Sequence, residues 1–236
     1  MATELYLVRH GEAVANVEPV IGGMRGDGGL TDTGRGQARL LQERLLHERL
    51  PADRLVSSTL PRALQTAEYV ARALGLPVVG DEGLHELRPG EADGLTVEEW
   101  RARYRSGEEP SAARDPYRVF SPGGESWATF LARAGGALCR LVTRHQDETV
   151  VAVCHAGVVE ASFALAFGLG ASGNRVDCAP LNTSLTHWRH RSAPAGEPEW
   201  TLVSYNDAHH LTGSARPAGP PRDAVPLPDG GRAADA

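Results

Sequence analysis

An open α/β fold, a mostly parallel sheet between two layers of helices, is predicted from this sequence by three observations. Short β-rich runs alternate with longer stretches of helical apolar spacing along most of the chain. One run, Thr149 to Cys154, is β-rich without polar alternation, as expected of a strand buried on both faces. A chain of 236 residues also suffices for one well-buried domain of this kind with a small insertion.

Taken in order, Glu4-Leu5-Tyr6-Leu7-Val8 predicts the first strand, which ends abruptly at Arg9-His10-Gly11. The glycine-rich stretch Gly22 to Gly29 is loop. Thr31-Asp32-Thr33 starts a helix whose Ala38, Leu41 and Leu45 recur at helical spacing, with Pro51 at its exit. Leu55-Val56-Ser57 predicts a second strand, and Ser58 and Thr59 are expected to cap a helix with Pro61 in its first turn. That helix carries Ala63, Ala67, Val70 and Leu74 on one face and stops at Gly75, with Pro77 beyond.

The pattern breaks between Arg88 and Pro122, a charged stretch with Arg101, Arg103, Arg105, Arg114 and Arg118 and no strand signal, which predicts a small, partly helical inserted cap. It then resumes. Trp127, Phe130, Ala134, Leu138 and Leu141 fit one helix face, Val158 to Phe167 a second helix, and Ser184 to Trp188 and Thr201 to Tyr205 two more strands. From Ser214 onward Pro, Gly and Ala dominate without periodicity, which predicts one domain over 1–213, its cap at about 88–122, and a disordered tail over 214–236.

Composition removes several functions. The net charge of −6 gives no basic field for nucleic acid. All 24 basic residues are Arg, which excludes a P-loop lysine, a Schiff-base lysine and a Ser–Lys pair, and leaves a side chain suited to bidentate capture of carboxylate or phosphate. Glu4 and Arg9 interrupt the first apolar stretch, so no signal peptide is expected. Val158 to Leu169 contains Glu160 and is shorter than the roughly 20 residues of a membrane span, so no membrane association is expected. Cys139, Cys154 and Cys178, odd in number and widely spaced, read as reduced, mostly buried thiols of a cytoplasmic protein.

In open α/β sheets ligands bind at the carboxyl ends of the strands. Three strand ends here carry unusual polar residues: Arg9-His10, Ser58 to Arg62, and His155. If those strands are neighbours, two histidines and two arginines share one crevice suited to a tetrahedral dianion such as phosphate. Helix N-termini near Pro61 and Gly157 are expected to add backbone donors. A neutral imidazole at such a site is a competent nucleophile, and arginine in place of Mg²⁺ can meet the charge of the transferring phosphoryl. The leaving alkoxide needs a proton donor, for which Glu86 in Leu84-His85-Glu86-Leu87 is the first candidate and Glu82 and Glu91 the alternatives. Cys154 lacks the arginine that a cysteine phosphatase needs at position 160, which is Glu, so it reads as a core residue. His187 with His190, and His209-His210, lack metal-ligand spacing and are expected on the surface, so no metal and no cofactor is predicted.

Leu7-Val8-Arg9-His10-Gly11-Glu12 resembles the opening motif of the histidine phosphatase superfamily, the group that includes cofactor-dependent phosphoglycerate mutases. Supporting matches follow in the family's order: Asn16; Leu30-Thr31 with Gly34, Gln37 and Ala38; Ser57-Ser58 with Arg62-Ala63 and Gln65-Thr66-Ala67; Glu86 with Gly90 and Gly94; Gly123-Gly124-Glu125-Ser126; and His155-Ala156-Gly157. The resemblance covers roughly Leu5 to Trp188 and implies a three-layer, phosphoglycerate mutase-like sandwich. Carried over, it makes His10 the phosphorylated nucleophile, Arg9, Arg62 and His155 phosphate ligands, Asn16 a phosphate contact, and Glu86 the acid and then the base. It also implies catalysis without metal or organic cofactor.

Three functions fit this pattern: a phosphatase acting on a small phosphate ester, a phosphoglycerate mutase, and a non-catalytic phosphate- or partner-binding protein. The stretch after Glu86, Arg-Pro-Gly-Glu-Ala-Asp-Gly, resembles the acid loop of the phosphatase branch, and the chain has none of the lysine that mutases tend to use around the substrate carboxylate. Every residue of the catalytic set is present, which speaks against a binding protein. Phosphatase is the expectation. An Arg-rich cap is further expected to favour an acidic substrate such as a sugar phosphate, a nucleotide or a phosphocarboxylate.

Overall fold

The computed structural model describes residues 2–105, 115–171, 178–192 and 199–212. Its elements in chain order are β1 (Thr3–Arg9), α1 (Val14–Val17), α2 (Asp32–Glu48), β2 (Arg54–Ser57), α3 (Pro61–Leu74), β3 (Val78–Gly80), α4 (Val97–Tyr104), α5 (Trp127–Arg144), β4 (Thr149–Cys154), α6 (Ala156–Ala166), β5 (Leu185–Arg191) and β6 (Glu199–Asp207). The six strands form one sheet in the order β3-β2-β4-β1-β5-β6. β3, β2, β4 and β1 run parallel, while β5 and β6 are antiparallel additions at one edge. The sheet is therefore mostly parallel, as predicted, with a mixed edge that the apolar pattern does not reveal.

β4 explains the layering. Val150, Ala152 and Cys154 point into a core shared with α5 and α6, and Val151 and Val153 into a second core shared with α2 and α3. Leu5 and Leu7 of β1 join the first and Val8 the second, because successive strand residues face opposite sides. The parallel neighbours also end level, with Arg9 opposite Cys154 and Ser57 opposite Val153, so the chain leaves β1, β2 and β4 side by side.

Several expectations need correction. α2 starts as predicted, its Thr31 hydroxyl accepting from the Gly34 N–H, and α3 stops at left-handed Gly75 (φ 68°). Ser58 and Thr59 do not cap α3. Leu60 is the N-cap with no side-chain bond, and the two hydroxyls turn instead to His155 and His85. His187 and His190 are buried, since β5 lies between β1 and β6 with both faces covered, and His187 stacks on Tyr6 at 4.0 Å. Of the three cysteines, none in a disulfide, only Cys154 is buried and Cys139 is exposed.

Between Arg88 and Pro122 the only helix of the described residues longer than one turn is α4, opened by a Thr96–Glu99 capping box. Backbone bonds join this segment to the loop after α1, from Ile21 N–H to the Leu95 carbonyl and from Gly94 N–H to the Ile21 carbonyl, each 2.9 Å. Arg105 packs over Trp100 at 4.9 Å and donates to the Tyr104 and Val119 carbonyls, and Arg118 also reaches the Tyr104 carbonyl. These two arginines thus tie the segment together. Arg114 and the tail over 214–236 lie outside the described residues.

Candidate active site

His10 follows β1 and is fully buried. Its Nδ1 lies 2.7 Å from the Gly11 carbonyl oxygen and its Nε2 3.2 Å from Nε of Arg62. A carbonyl can only accept and a guanidinium can only donate. Nδ1 therefore carries the proton, and Nε2 presents a lone pair. The backbone here is held from behind: the Asn182 side-chain amide donates to the His10 carbonyl at 3.0 Å and the Thr183 N–H to the Arg9 carbonyl at 2.9 Å. Thr183 is a buried β-branched residue at φ 58°, a strained conformation of the kind that concentrates at functional sites. Gly11 is required by contact, since a Cβ there would stand 2.6 Å from the Gly34 carbonyl oxygen.

Arg62 sits in the first turn of α3. Its Nη1 donates to Asp27 Oδ2 at 2.7 Å and to the Gly22 carbonyl at 3.0 Å. The Asp27 carboxylate also accepts the Gly29 N–H and lies 3.4 Å from the Arg62 N–H, so it occupies the N-terminus of α3. The loop is braced in turn by Asp93, whose carboxylate accepts the Gly23, Arg25 and Gly26 N–H groups at 2.9 to 3.0 Å.

His155 is the N-cap of α6, buried, with its ring 5.0 Å from that of His10 and its Nε2 2.8 Å from the Ser58 hydroxyl. Glu86 meets the same helix. One carboxylate oxygen accepts the Gly157 N–H at 3.0 Å and the other the Leu87 N–H at 2.9 Å. The approach is close: a Cβ on Gly157 would lie 2.2 Å from a carboxylate oxygen and 3.0 Å from the Phe130 ring, so a larger residue there would push the Glu86 carboxylate aside. At each helix N-terminus one backbone N–H thus turns to a protein carboxylate, that of Arg62 in α3 to Asp27 and that of Gly157 in α6 to Glu86.

The loop carrying Glu86 is fixed by Arg133 of α5, which donates to the Gly83, His85 and Glu86 carbonyls at 2.9 to 3.1 Å and forms a fork with both oxygens of Glu125 at 2.7 Å. Burial pushes the Glu125 carboxyl up, but its bonds from Arg133 and the Arg88 N–H outweigh this and hold it below the usual range. His85, hydrogen-bonded to Thr59 at 2.6 Å, is pulled down to about 4 by burial, reinforced by the Arg88 and Arg133 charges.

The structure therefore brings together His10, Arg62 and His155, with Glu86 across the first turn of α6. Arg9 is buried and sends Nη1 to the Pro180 carbonyl. Asn16 is half-buried, and its Oδ1 accepts the Ala13 N–H at 2.8 Å, closing the short helix α1. The alternatives to Glu86 are exposed: Glu82 faces Arg88, and Glu91 accepts from the Tyr104 hydroxyl. Sequence reasoning missed Asp27, Asp93 and Arg133. Asp27 was hidden by the glycines around it, and Arg133 by its place on the polar side of an amphipathic helix. Chemically, the arrangement is a buried, neutral imidazole lone pair facing a guanidinium, beside a second imidazole and a buried carboxylate.

Known proteins similar to this chain point to one family. The family described as Histidine phosphatase superfamily (branch 1) matches residues 5–208. Phosphoglycerate mutase-like protein 4 of Arabidopsis thaliana is 34% identical over 88% of this chain and 86% of its own length. The 6-phosphofructo-2-kinase/fructose-2,6-bisphosphatase of Gallus gallus is 32% identical over 77% of this chain, which spans 36% of that longer protein. Among solved structures, the mycobacterial glucosyl-3-phosphoglycerate phosphatase superposes with a TM-score of 0.70 at 28% identity, covering 88% of this chain and all of the other.

Proposed function

The chain belongs to the histidine phosphatase superfamily, and on that premise we propose that it is a metal-independent phosphatase that hydrolyses a small phosphate monoester through a phosphohistidine on His10. The observation that carries the reading is the tautomer of His10: a buried imidazole with its proton on Nδ1 and its lone pair on Nε2, directed at Arg62.

A phosphoryl group enters between Nε2 and the guanidinium of Arg62, with His155 and Arg9 sharing its charge. Nε2 attacks phosphorus in line, an N–P bond forms, and the ester P–O bond breaks. The departing alkoxide takes the proton of the Glu86 carboxyl. The ring now carries positive charge, which the Nδ1–H bond to the Gly11 carbonyl stabilises. Water then attacks phosphorus, gives its proton to the Glu86 carboxylate, and the N–P bond breaks to release phosphate and the neutral imidazole. The arginines act where other phosphoryl-transfer enzymes use Mg²⁺.

The substrate class we favour is an acidic small molecule, a sugar phosphate or phosphocarboxylate. The support is the cap, where Arg101 and Arg103 stand exposed on α4, and the named specificities of relatives, a glucosyl-3-phosphoglycerate phosphatase and a fructose-2,6-bisphosphatase. A cytoplasmic setting is supported by three cysteines outside any disulfide. The test is phosphate release from a panel of phosphate esters in EDTA, with wild type and His10→Ala side by side. Turnover that survives EDTA and disappears in the variant is expected. No release from any ester, with a 2,3-bisphosphoglycerate-dependent mutase assay also negative, would overturn the reading in favour of a binding protein.

A further inference from the structure

We propose that Asp27 is the positioning residue of Arg62: it anchors Nη1 so that the opposite edge of the guanidinium, Nε and Nη2, is presented to a phosphoryl group at His10 Nε2. The proposal rests on the phosphatase reading and goes one layer behind it.

A guanidinium has five N–H groups in a fixed plane. In Arg62 both N–H groups of Nη1 are spent, one on Asp27 at 2.7 Å and one on the Gly22 carbonyl at 3.0 Å. Nε points at His10 Nε2 from 3.2 Å, and among the described residues Nη2 makes no hydrogen bond. The edge left open is the one that can hold two phosphate oxygens in a fork, and it already faces the lone pair. Asp27 is suited to this role because it cannot easily move. Its side chain is fully buried, that of Arg62 is 3% exposed, and its second oxygen is fixed by the Gly29 N–H at 2.8 Å.

Electrostatics alone argues against a carboxylate here, since it partly neutralises a cation that must bind a dianion. What it contributes is direction, because an arginine side chain has several rotatable bonds and a free one would sample many headings. Asp93 extends the brace. By accepting three backbone N–H groups of Gly23 to Gly26, it fixes the loop that supplies both the Gly22 carbonyl and Asp27. A cap residue thereby helps hold the arginine.

The experiment is a double-mutant cycle with Asp27→Ala, Arg62→Ala and the double variant, read by kcat/KM on p-nitrophenyl phosphate and by calorimetric affinity for inorganic phosphate. Asp27→Ala is expected to lower kcat/KM by about 10²-fold. In the Arg62→Ala background it should change kcat/KM by less than about threefold, since residues acting through one another are not additive. Asp27→Asn keeps the volume and so guards against misfolding, and should fall between wild type and Asp27→Ala. Wild-type turnover and phosphate affinity in both Asp27 variants would overturn the proposal. So would a loss of equal size with and without Arg62, which marks a merely structural role. If wild type itself turns over no ester, the phosphatase reading fails, and the phosphate-affinity cycle still decides whether Asp27 acts through Arg62.

Discussion

Two carboxylates sit at two helix N-termini on either side of His10, and they are held in opposite ways. Asp27, at the start of α3, is locked to a cation: its oxygen lies 2.7 Å from Arg62 Nη1, with both side chains buried. Glu86, at the start of α6, accepts only backbone N–H groups, and among the described residues no cation is paired with its carboxylate. The arginine on that side, Arg133, lies behind Glu86 and grips backbone carbonyls, giving its charge to Glu125. The difference is instructive. Asp27 shares a buried ion pair with a permanent cation and serves as an anchor, whereas Glu86 can turn to another partner without breaking an ion pair. On the reading proposed above, the same functional group serves for holding on one side and for proton transfer on the other.

The largest expected effect tests the proton-transfer side. Glu86→Gln should lower kcat on an alkyl phosphate by about 10²–10⁴-fold, the usual contribution of a general acid. For the first step with p-nitrophenyl phosphate, whose leaving group needs no proton, the loss should be much smaller. Equal losses for both esters in single-turnover kinetics would mean that Glu86 is another anchor.

A smaller effect is expected behind Glu86. Arg133→Ala removes the bonds to the Gly83, His85 and Glu86 carbonyls and leaves Glu125 without its partner. Stability to denaturant should drop by about 2–4 kcal/mol and kcat by roughly tenfold, with Arg133→Lys failing to restore either because the fork is lost. Arg133→Ala with unchanged kcat would show that the acid loop holds its shape unaided.

The smallest effect is in pH dependence, and it also falls on the Glu86 side. His85 titrates near 4 in the folded protein and near its ordinary 6.5 when unfolded, so the unfolded chain takes up the proton first. Its contribution is fully present above pH 6.5 and is lost as pH falls towards 4. Melting temperatures from pH 7 to pH 4 should therefore decline less steeply in His85→Gln than in wild type. Parallel curves would assign the acid sensitivity elsewhere, first to His210, which burial also pulls down to about 4.

These contrasts also mark what the sequence made legible. The sandwich and the neighbouring strand ends could be read because β-rich runs, helical spacing and the polar residues after each strand are local signals. Thr149 to Cys154 announced its two-sided burial by composition alone. The antiparallel edge could not be read, since strand direction depends on pairing. His10, Arg62, His155 and Glu86 stood out as chemistry at strand ends or in a motif. Asp27 and Arg133 did not, because each acts on a residue 35 or more positions away and looks locally like a loop aspartate and a surface arginine. The carboxylates at the two helix N-termini stayed hidden for the same reason: Asp27 and Glu86 reach α3 and α6 from distant loops.

If phosphate passes through His10, the phosphorylated enzyme can be trapped. Glu86→Gln would be mixed with p-nitrophenyl phosphate, quenched in alkali to preserve any N–P bond, digested and mapped by mass spectrometry. One phosphoryl group is expected on the peptide containing His10, stable in base, lost in acid and absent in the Glu86→Gln/His10→Ala double variant. A phosphoryl group on another residue, or p-nitrophenol release by single turnover with His10 unmodified throughout, would contradict it.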